Sequence, residues 1–285
     1  MISQAQQDVC CLMGQPVAGN PRHYMLEAAF AQADLDWRFL TFEVIEDDFV
    51  RALDGARVFG FRGVMLAPPH RESALELVDD LTDQARASGS VNCLQLTETG
   101  LVGHNTEGSS LKKLAEQTTY LDGSSVVILG GGRWARSIAA EMALAGVEEL
   151  TLVYQDVEPL QEFVNELVEQ TPLANCFVAP WPAGEPLEIP ENCSLLVNAT
   201  KIGRMAPEKP LPIVTDSLSP SVTVADVVFN PIDTWLLRQA AEHGCPTIDG
   251  LTLLVEQAAA AFEIWTGQAA DRDAMRDAVE EFLAL

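Results

Sequence analysis

The stretch that decides the fold is SSVVILGGGRWARSIAAEMALAGVEELTLVYQD, residues 124–156. It opens with a short apolar run, Val126 to Leu129, which is typical of a buried parallel strand. Glycines follow at once, and small and apolar residues then dominate from Ala135 to Ala145, as in a helix packed closely on a sheet. A second apolar strand comes after a glycine-containing turn. The stretch therefore predicts a strand–turn–helix–strand unit of a parallel sheet.

The turn inside this unit has the spacing of a dinucleotide-binding motif. Gly130, Gly132 and Ala135 form G-x-G-x-x-A directly between strand and helix. The first glycine permits a sharp turn, the second lets the backbone approach a pyrophosphate, and the alanine keeps helix and strand close. This context predicts a dinucleotide site, the alternative being a tight turn without a ligand. The candidate cofactor-binding residues are Gly130, Gly131, Gly132, Arg133, Trp134, Ala135, Asp156 and Thr200.

The end of the second strand, LVYQDVE (residues 152–158), bears on the choice of nicotinamide cofactor. It carries Gln155, Asp156 and Glu158 and no arginine or lysine. A 2′-phosphate would meet negative charge there, whereas Asp156 can accept a hydrogen bond from a free ribose hydroxyl. The sequence therefore favours NAD over NADP, with a solvated turn residue as the alternative role of Asp156.

The strand–helix alternation continues on both sides of this unit. Further apolar runs occur at SLLVNAT (194–200) and VTVADVVFNP (222–231), with helical patterns between them. A separate α/β pattern precedes the unit, and the chain ends in a strongly helical stretch. We therefore predict a two-domain α/β protein: a Rossmann domain with a doubly wound parallel sheet at residues 113–249, and a discontinuous domain at residues 1–112 and 250–285.

Charge excludes several classes of partner. The chain has a formal net charge of −25 in 285 residues. A surface this acidic repels phosphate backbones and anionic lipid headgroups, so neither nucleic acid nor membrane is an expected partner. An anionic small substrate would need a local cluster of positive charge. We expect a monomer or homodimer that binds a small-molecule carboxylate.

Targeting and redox signals point to the cytoplasm. The start, MISQAQQDVC, lacks a basic region followed by an apolar run, which predicts no signal peptide. The six cysteines show no CxxC spacing, so we expect reduced thiols and no metal site.

Eight stretches resemble the shikimate dehydrogenase family in order and spacing, over nearly the whole chain. They are GQPVAGNPRHYMLEAAF, GVMLAPPHR, SVNCL, GLVGHNTEGSS, LGGGRWARSIA, LLVNAT, VVFNPIDTWLL and GLTLLVEQAAAAFEIWTG. The resemblance implies a substrate domain closed by the C-terminal helices, a Rossmann cofactor domain, and an active site between them. It also implies NAD(P)-dependent hydride transfer on shikimate or a related cyclic hydroxy acid, an activity of aromatic amino acid biosynthesis.

The family's catalytic positions are changed in this chain. The catalytic lysine of the family falls on Arg71 and its catalytic aspartate on Glu107. A guanidinium does not lose its proton in a protein, so Arg71 can hold an oxyanion or a carboxylate but is a poor base. Glu107 can pair with Arg71 or take over the role of base. The alternatives are that Arg71 is a surface residue opening a helix, RESALELVDDL, and that Glu107 is an acid favoured by a helix dipole.

The expected substrate-binding residues are Asn20, Arg22, Asn92 and Gln257. By the resemblance, Asn20 and Arg22 fall on two carboxylate-binding serines, while Asn92 and Gln257 match ring-hydroxyl binders. Met65 and Ala67 replace an asparagine and a threonine of the family, so the pocket is more apolar than shikimate requires. We therefore expect weak turnover of shikimate. A non-catalytic metabolite- or dinucleotide-binding protein on the same scaffold is the alternative function.

Overall fold

The structure, a computed structural model, describes residues 7–181 and 185–285. The stretch that carries the signal-peptide prediction begins in residues 1–6, which lie outside the described residues. The chain divides into two compact units, one of Met1–Thr106 with Val255–Leu285 and one of Glu107–Leu254. Each unit contains a six-stranded sheet.

Helices and strands alternate over much of the chain. From the N-terminus the first elements are β1 (Asp8–Gly14), α1 (Arg22–Gln32), β2 (Trp37–Glu43), α2 (Phe49–Val58), β3 (Gly63–Leu66), α3 (His70–Ser73), β4 (Asp80–Leu81), α4 (Asp83–Ser88), β5 (Cys93–Thr97) and β6 (Gly100–His104). They are followed by α5 (Thr106–Ala115), β7 (Ser125–Leu129), α6 (Arg133–Leu144), β8 (Glu149–Tyr154), α7 (Val157–Gln170), β9 (Asn175–Pro180), β10 (Cys193–Asn198), β11 (Thr223–Asp226), α8 (Trp235–Glu242), β12 (Thr247–Ile248), α9 (Gly250–Thr266) and α10 (Arg272–Leu283).

The sheet of the first unit is mixed. Its strand order is β2-β1-β3-β5-β6-β4. Strand β1 runs parallel to both β2 and β3, whereas β5 runs antiparallel to β3 and β6. All four residues of β3 are buried, because this strand lies inside the sheet and both of its faces are covered.

The C-terminal helices complete the core of the first unit. The Trp265 indole of α9 lies against β3, where a Cβ added to Gly63 would overlap the ring. The indole Nε1 donates to the carbonyl of Leu94 at 3.0 Å, and the Phe262 ring packs on Phe30 with centroids 5.5 Å apart. Residues some 200 positions apart therefore share one core.

The sheet of the second unit is the doubly wound parallel sheet that the sequence predicts. Its order is β12-β11-β10-β7-β8-β9, and every neighbouring pair is parallel. All five residues of β7 are buried, as expected of a central strand. The chain leaves β7 in one direction toward β8 and returns on the other side at β10. The carboxyl ends of β7 and β10 therefore form the topological switch point at which such sheets bind ligands.

One predicted strand is shorter than its apolar run. The stretch 222–231 pairs in the sheet only over Thr223–Asp226. The backbone turns directly afterwards, because the N–H of Val228 donates to Asp226 Oδ1 at 3.0 Å instead of to a neighbouring strand. No helix in the described part of the chain is long and apolar enough to cross a membrane.

Candidate functional site

The glycine turn between β7 and α6 has the geometry that the motif requires. Gly130 has φ +128°, and a Cβ there would lie 2.9 Å from the carbonyl oxygen of Ala199, directly after β10. Gly132 is the N-cap of α6, and an added Cβ would meet nothing within 4 Å. Ala135 is fully buried and lets the helix approach the sheet. The turn thus offers an open approach to the N-terminus of a twelve-residue helix, which fits a pyrophosphate.

Side chains around the turn complete this edge of the sheet. Arg133 is exposed and Trp134 half-buried at the start of α6. The Tyr154 ring, at the end of β8, packs on the turn, since a Cβ on Gly131 would lie 2.5 Å from it. Asp156 is exposed and is the N-cap of α7.

Arg136 is a further cation near the turn, outside the candidate cofactor-binding residues. Its guanidinium lies over the Phe163 ring, 5.0 Å from the centroid. Its Nε donates to Gly131 O and its Nη2 to Pro159 O, each at 3.4 Å. Arg136 therefore joins the glycine turn to the start of α7. The sequence signal for it is a second arginine three residues after Arg133, in the first turns of α6.

A buried polar cluster fixes the loop after β10. Asn198 Oδ1 accepts from the backbone N of Thr200 at 3.1 Å and from its Oγ1 at 2.7 Å. Asn198 Nδ2 donates to Asp226 Oδ1 at 2.9 Å, and Thr234 Oγ1 donates to Asp226 Oδ2 at 2.8 Å. Desolvation raises the pKa of Asp226 to about 6, against the lowering effect of these hydrogen bonds and the one from Val228.

The cluster places Thr200 at the carboxyl end of β10, next to the glycine turn. Asp226 was missed in the sequence, where its only signal is an acidic residue inside an apolar run. Within residues 7–181 and 185–285, no group of three or more His, Cys, Asp or Glu side chains could hold a metal ion.

Glu107 lies in the first turn of α5 and is completely buried. Its Oε2 accepts a hydrogen bond from Ser137 Oγ of α6 at 3.1 Å. The helix dipole favours a carboxylate in this position, but burial and a specific donor distinguish Glu107 from a solvated capping acid.

Arg71 is 8% exposed, which excludes the interpretation that it is a surface residue. Its Nε donates to Leu66 O at 2.9 Å, and its own carbonyl accepts from Val91 N at 2.9 Å. The longer helix RESALELVDDL does not form: α3 ends at Ser73, and the chain enters β4 at Asp80. These bonds fix Arg71 in a short turn after β3.

His70 anchors the turn that carries Arg71. Its ring stacks on Phe49, with centroids 4.2 Å apart and an interplanar angle of 9°. Its Nε2 lies 2.8 Å from Val44 O. His70 therefore packs into the core and holds its neighbour in place.

Three of the predicted substrate residues meet in the first unit. Asn20 Oδ1 accepts from the backbone N of Arg22 at 3.1 Å and from its Nη1 at 3.4 Å. Arg22 Nη2 donates to Gln257 Oε1 at 2.8 Å. Gln257 is fully buried, and its Nε2 has no hydrogen-bond partner among the described residues. We call Asn20, Arg22 and Gln257 the Arg22 cluster.

Asn92, the fourth predicted substrate residue, bonds elsewhere. Its Nδ2 donates to Thr106 Oγ1 at 3.0 Å, and its Oδ1 accepts from Thr106 N at 2.8 Å. Asn92 therefore holds the start of α5. Met65 and Ala67 are buried, as expected of apolar replacements at the end of β3.

Comparison with known proteins gives a consistent result. Residues 12–94 match the family described as the shikimate dehydrogenase substrate binding domain, and residues 250–280 the shikimate 5′-dehydrogenase C-terminal domain. The chain is 33% identical to the shikimate dehydrogenase (NADP(+)) of Alkaliphilus metalliredigens, over 90% of this chain and 91% of that protein.

Two solved structures are similar to this chain over nearly its whole length. One is the ligand-free 5-ketofructose reductase of Gluconobacter sp. strain CHM43, with TM-score 0.93 and 33% identity over 98% of this chain and 99% of that one. The other is shikimate 5-dehydrogenase from Listeria monocytogenes in complex with shikimate and NAD, with TM-score 0.86 and 27% identity over 96% of each chain.

Proposed function

Because this chain belongs to the shikimate dehydrogenase family and is an NAD(P)-dependent oxidoreductase acting on a CH–OH group, we propose that its substrate is a compact hydroxy acid held by Arg22. The observation that carries this proposal is the Arg22 cluster. A guanidinium already fixed by Asn20 and Gln257 loses little freedom when it binds a carboxylate. On a chain with net charge −25, such a local cation is what an anionic substrate needs.

We propose that Arg71 and Glu107 are the catalytic residues. Arg71 cannot give up its proton, so its role is to hold an oxyanion as charge develops on the reacting oxygen. Glu107 is the group that can exchange a proton with the substrate hydroxyl. A bound nicotinamide supplies the hydride acceptor or donor. Asn92 supports the site through Thr106 and contributes a ring-hydroxyl contact.

We propose that the glycine turn binds the dinucleotide and that NAD is preferred over NADP. Gly130 to Ala135 and Thr200 surround the helix N-terminus that receives the pyrophosphate. Asp156 lies exposed at the carboxyl end of β8, where its charge favours a ribose hydroxyl over a 2′-phosphate. The named relatives include both an NADP(+) enzyme and an NAD complex. In domain terms, residues 113–249 bind the cofactor, and residues 1–112 with 250–285 bind the substrate.

A second substrate class has its own support. The 5-ketofructose reductase shares 33% of its residues with this chain and nearly all of its fold. Met65 and Ala67 give apolar walls where the family has polar groups, which suits a substrate other than shikimate. A neutral polyhydroxy ketone, bound by the amides of Asn20 and Gln257, is therefore the alternative.

The test is a panel of substrates assayed with NAD(H) and with NADP(H). It includes shikimate, quinate, other cyclic hydroxy acids and 5-ketofructose, each with wild type and Glu107→Gln. We expect turnover of a hydroxy acid with a lower KM for NAD, and a loss of about 10²- to 10⁴-fold in kcat for Glu107→Gln. Dinucleotide binding without turnover of any hydroxy acid would contradict the proposal, and turnover of the ketone alone would favour the second class.

A further inference from the structure

Helices α5 and α6 meet in a very close contact beside Glu107. A Cβ added to Gly108 would overlap the carbonyl oxygen of Ser137 and lie 2.7 Å from Glu141 Cβ. Only glycine therefore fits at this point of α5. Ser137 and Glu141 are one helical turn apart, so both face the start of α5.

Ser137 uses this proximity to bind Glu107. It is 2% exposed, and its Oγ donates to the Oε2 of the fully buried Glu107 at 3.1 Å. A hydrogen bond to a carboxylate is stronger in such surroundings than in water. Apart from Glu141, the other buried positions of α6 are small or apolar, namely Ala135, Ile138, Ala139, Ala140, Met142 and Ala143. Alanine is a better helix former than serine, so helix propensity does not explain a serine at this position.

A glutamate in this position needs such a partner. Its side chain has one more rotatable bond than aspartate, and the terminal torsion of a glutamate is broad. Proton transfer requires the carboxylate oxygen within hydrogen-bond reach of the proton it takes. A buried donor on Oε2 restricts the orientation of the carboxylate.

We propose that Ser137 is a positioning residue that fixes the Glu107 carboxylate for proton transfer, an inference that rests on the proposed catalytic role of Glu107. It acts through its hydrogen bond to Glu107.

The test is a double-mutant cycle of Ser137→Ala, Glu107→Gln and the double variant, assayed with the substrate that the panel identifies. We expect Ser137→Ala to lower kcat about tenfold because the carboxylate loses its fixed orientation, with both KM values within about twofold of wild type. In the Glu107→Gln background the same change should have almost no further effect, since there is no longer a carboxylate to orient.

Ser125→Ala is the matched control. Ser125 is also buried and also donates to a glutamate, Glu149 Oε1 at 3.3 Å, but at the amino ends of β7 and β8. It should leave kcat unchanged. Melting temperatures of all variants report the structural effect separately, and Ser137→Cys, which keeps the volume and a weak donor, replaces Ser137→Ala if the latter does not fold.

Each outcome separates the two proposals. If Ser137→Ala has the kcat of wild type while Glu107→Gln has lost its activity, the positioning role alone is overturned. Equal losses from Ser137→Ala in both backgrounds, or a loss matched by Ser125→Ala, also overturn it. Full activity of Glu107→Gln overturns the catalytic role of Glu107, and the positioning role with it.

Discussion

At the scale of single residues, the variant Arg22→Gln tests which of the two substrate classes the chain binds. Arg22→Gln removes the cation but keeps a polar side chain near Asn20 and Gln257. For a carboxylate substrate we expect KM to rise about 10- to 100-fold, since a hydrogen bond to a charged group contributes about 1.5–3 kcal/mol. For a neutral ketone, KM should stay within about twofold. Steady-state kinetics on both substrates measures the difference.

The control for this variant is Arg51→Gln. Arg51 is exposed and pairs at the surface with Asp48, at 3.0 Å. Its loss should leave both KM values unchanged. An equal rise in KM for acid and ketone after Arg22→Gln would mean that Arg22 supports the fold of the pocket and does not select charge.

Asp226 makes stability depend on pH. Its carboxyl has a pKa of about 6 in the folded chain and 3.8 as an ordinary aspartate, so the folded state holds the proton more tightly. Stability from this group is therefore present below about pH 4 and is lost as pH rises to about 6. Between about pH 4 and about pH 7 the free energy of unfolding of wild type should fall by up to about 3 kcal/mol more than that of Asp226→Asn, because an asparagine cannot titrate.

Urea unfolding at about pH 4 and about pH 7, on wild type and Asp226→Asn, measures this difference. Subtracting the free energy of unfolding of the variant from that of wild type at each pH removes the contribution of the remaining carboxylates. Asp233→Asn is the control, because the Asp233 side chain is 71% exposed. If wild type instead gains stability relative to Asp226→Asn as the pH rises, the hydrogen bonds to Asp226 outweigh its desolvation.

At the scale of elements, two glycines test how tightly the first unit is packed. Gly63→Ala pushes a methyl group into the Trp265 ring, so α9 or β3 must shift. We expect a loss of about 1–3 kcal/mol, typical of overpacking. Gly55→Ala in α2 meets only Phe59 Cε2 at 4.0 Å and should stabilise the chain by about 0.4–1 kcal/mol.

Thermal melting of both variants checks this pair. The two changes add the same methyl group, so a difference in sign isolates the packing at β3. Equal melting temperatures would contradict the close approach of Trp265 to Gly63.

The sequence predicted the elements of the second unit because their periodicity is strong. The buried run of β7, the small-residue face of α6 and the apolar start of β8 each have a local signature, and the structure confirms the parallel sheet. The stretch after Arg71 was harder. Its composition suits a helix, but the chain is drawn into the sheet at Asp80, and such a tertiary effect leaves no local signal.

The residues of the candidate site could be predicted only where they belong to a recognisable sequence motif. Gly130 and Gly132 follow from spacing, and Arg71 and Glu107 follow from the family resemblance. Ser137 and Asp226 were missed, because their importance depends on partners 30 and 28 positions away in the chain. Residues that position others are recognised by contacts, which a single sequence does not contain.

At the scale of the whole molecule, the net charge of −25 opposes the approach of anionic ligands. Salt screens such repulsion beyond about 10 Å at 0.1 M. Raising NaCl from about 10 to about 200 mM should therefore increase kcat/KM for a carboxylate substrate roughly two- to fivefold. Under saturating cofactor, a neutral ketone should show no such change. A decrease with salt would mean that the field of Arg22 dominates over the rest of the surface.

The contact between Trp265 and Gly63 also sets an order of events during synthesis on the ribosome. The strands of the first unit are made early, whereas the indole that covers β3 and the Phe262 ring that packs on Phe30 are made about 200 residues later. The Glu107–Leu254 unit is contiguous and is fully translated before them. The apolar surface of β3 and Phe30 therefore stays without these two partners until the whole of the second unit has been translated.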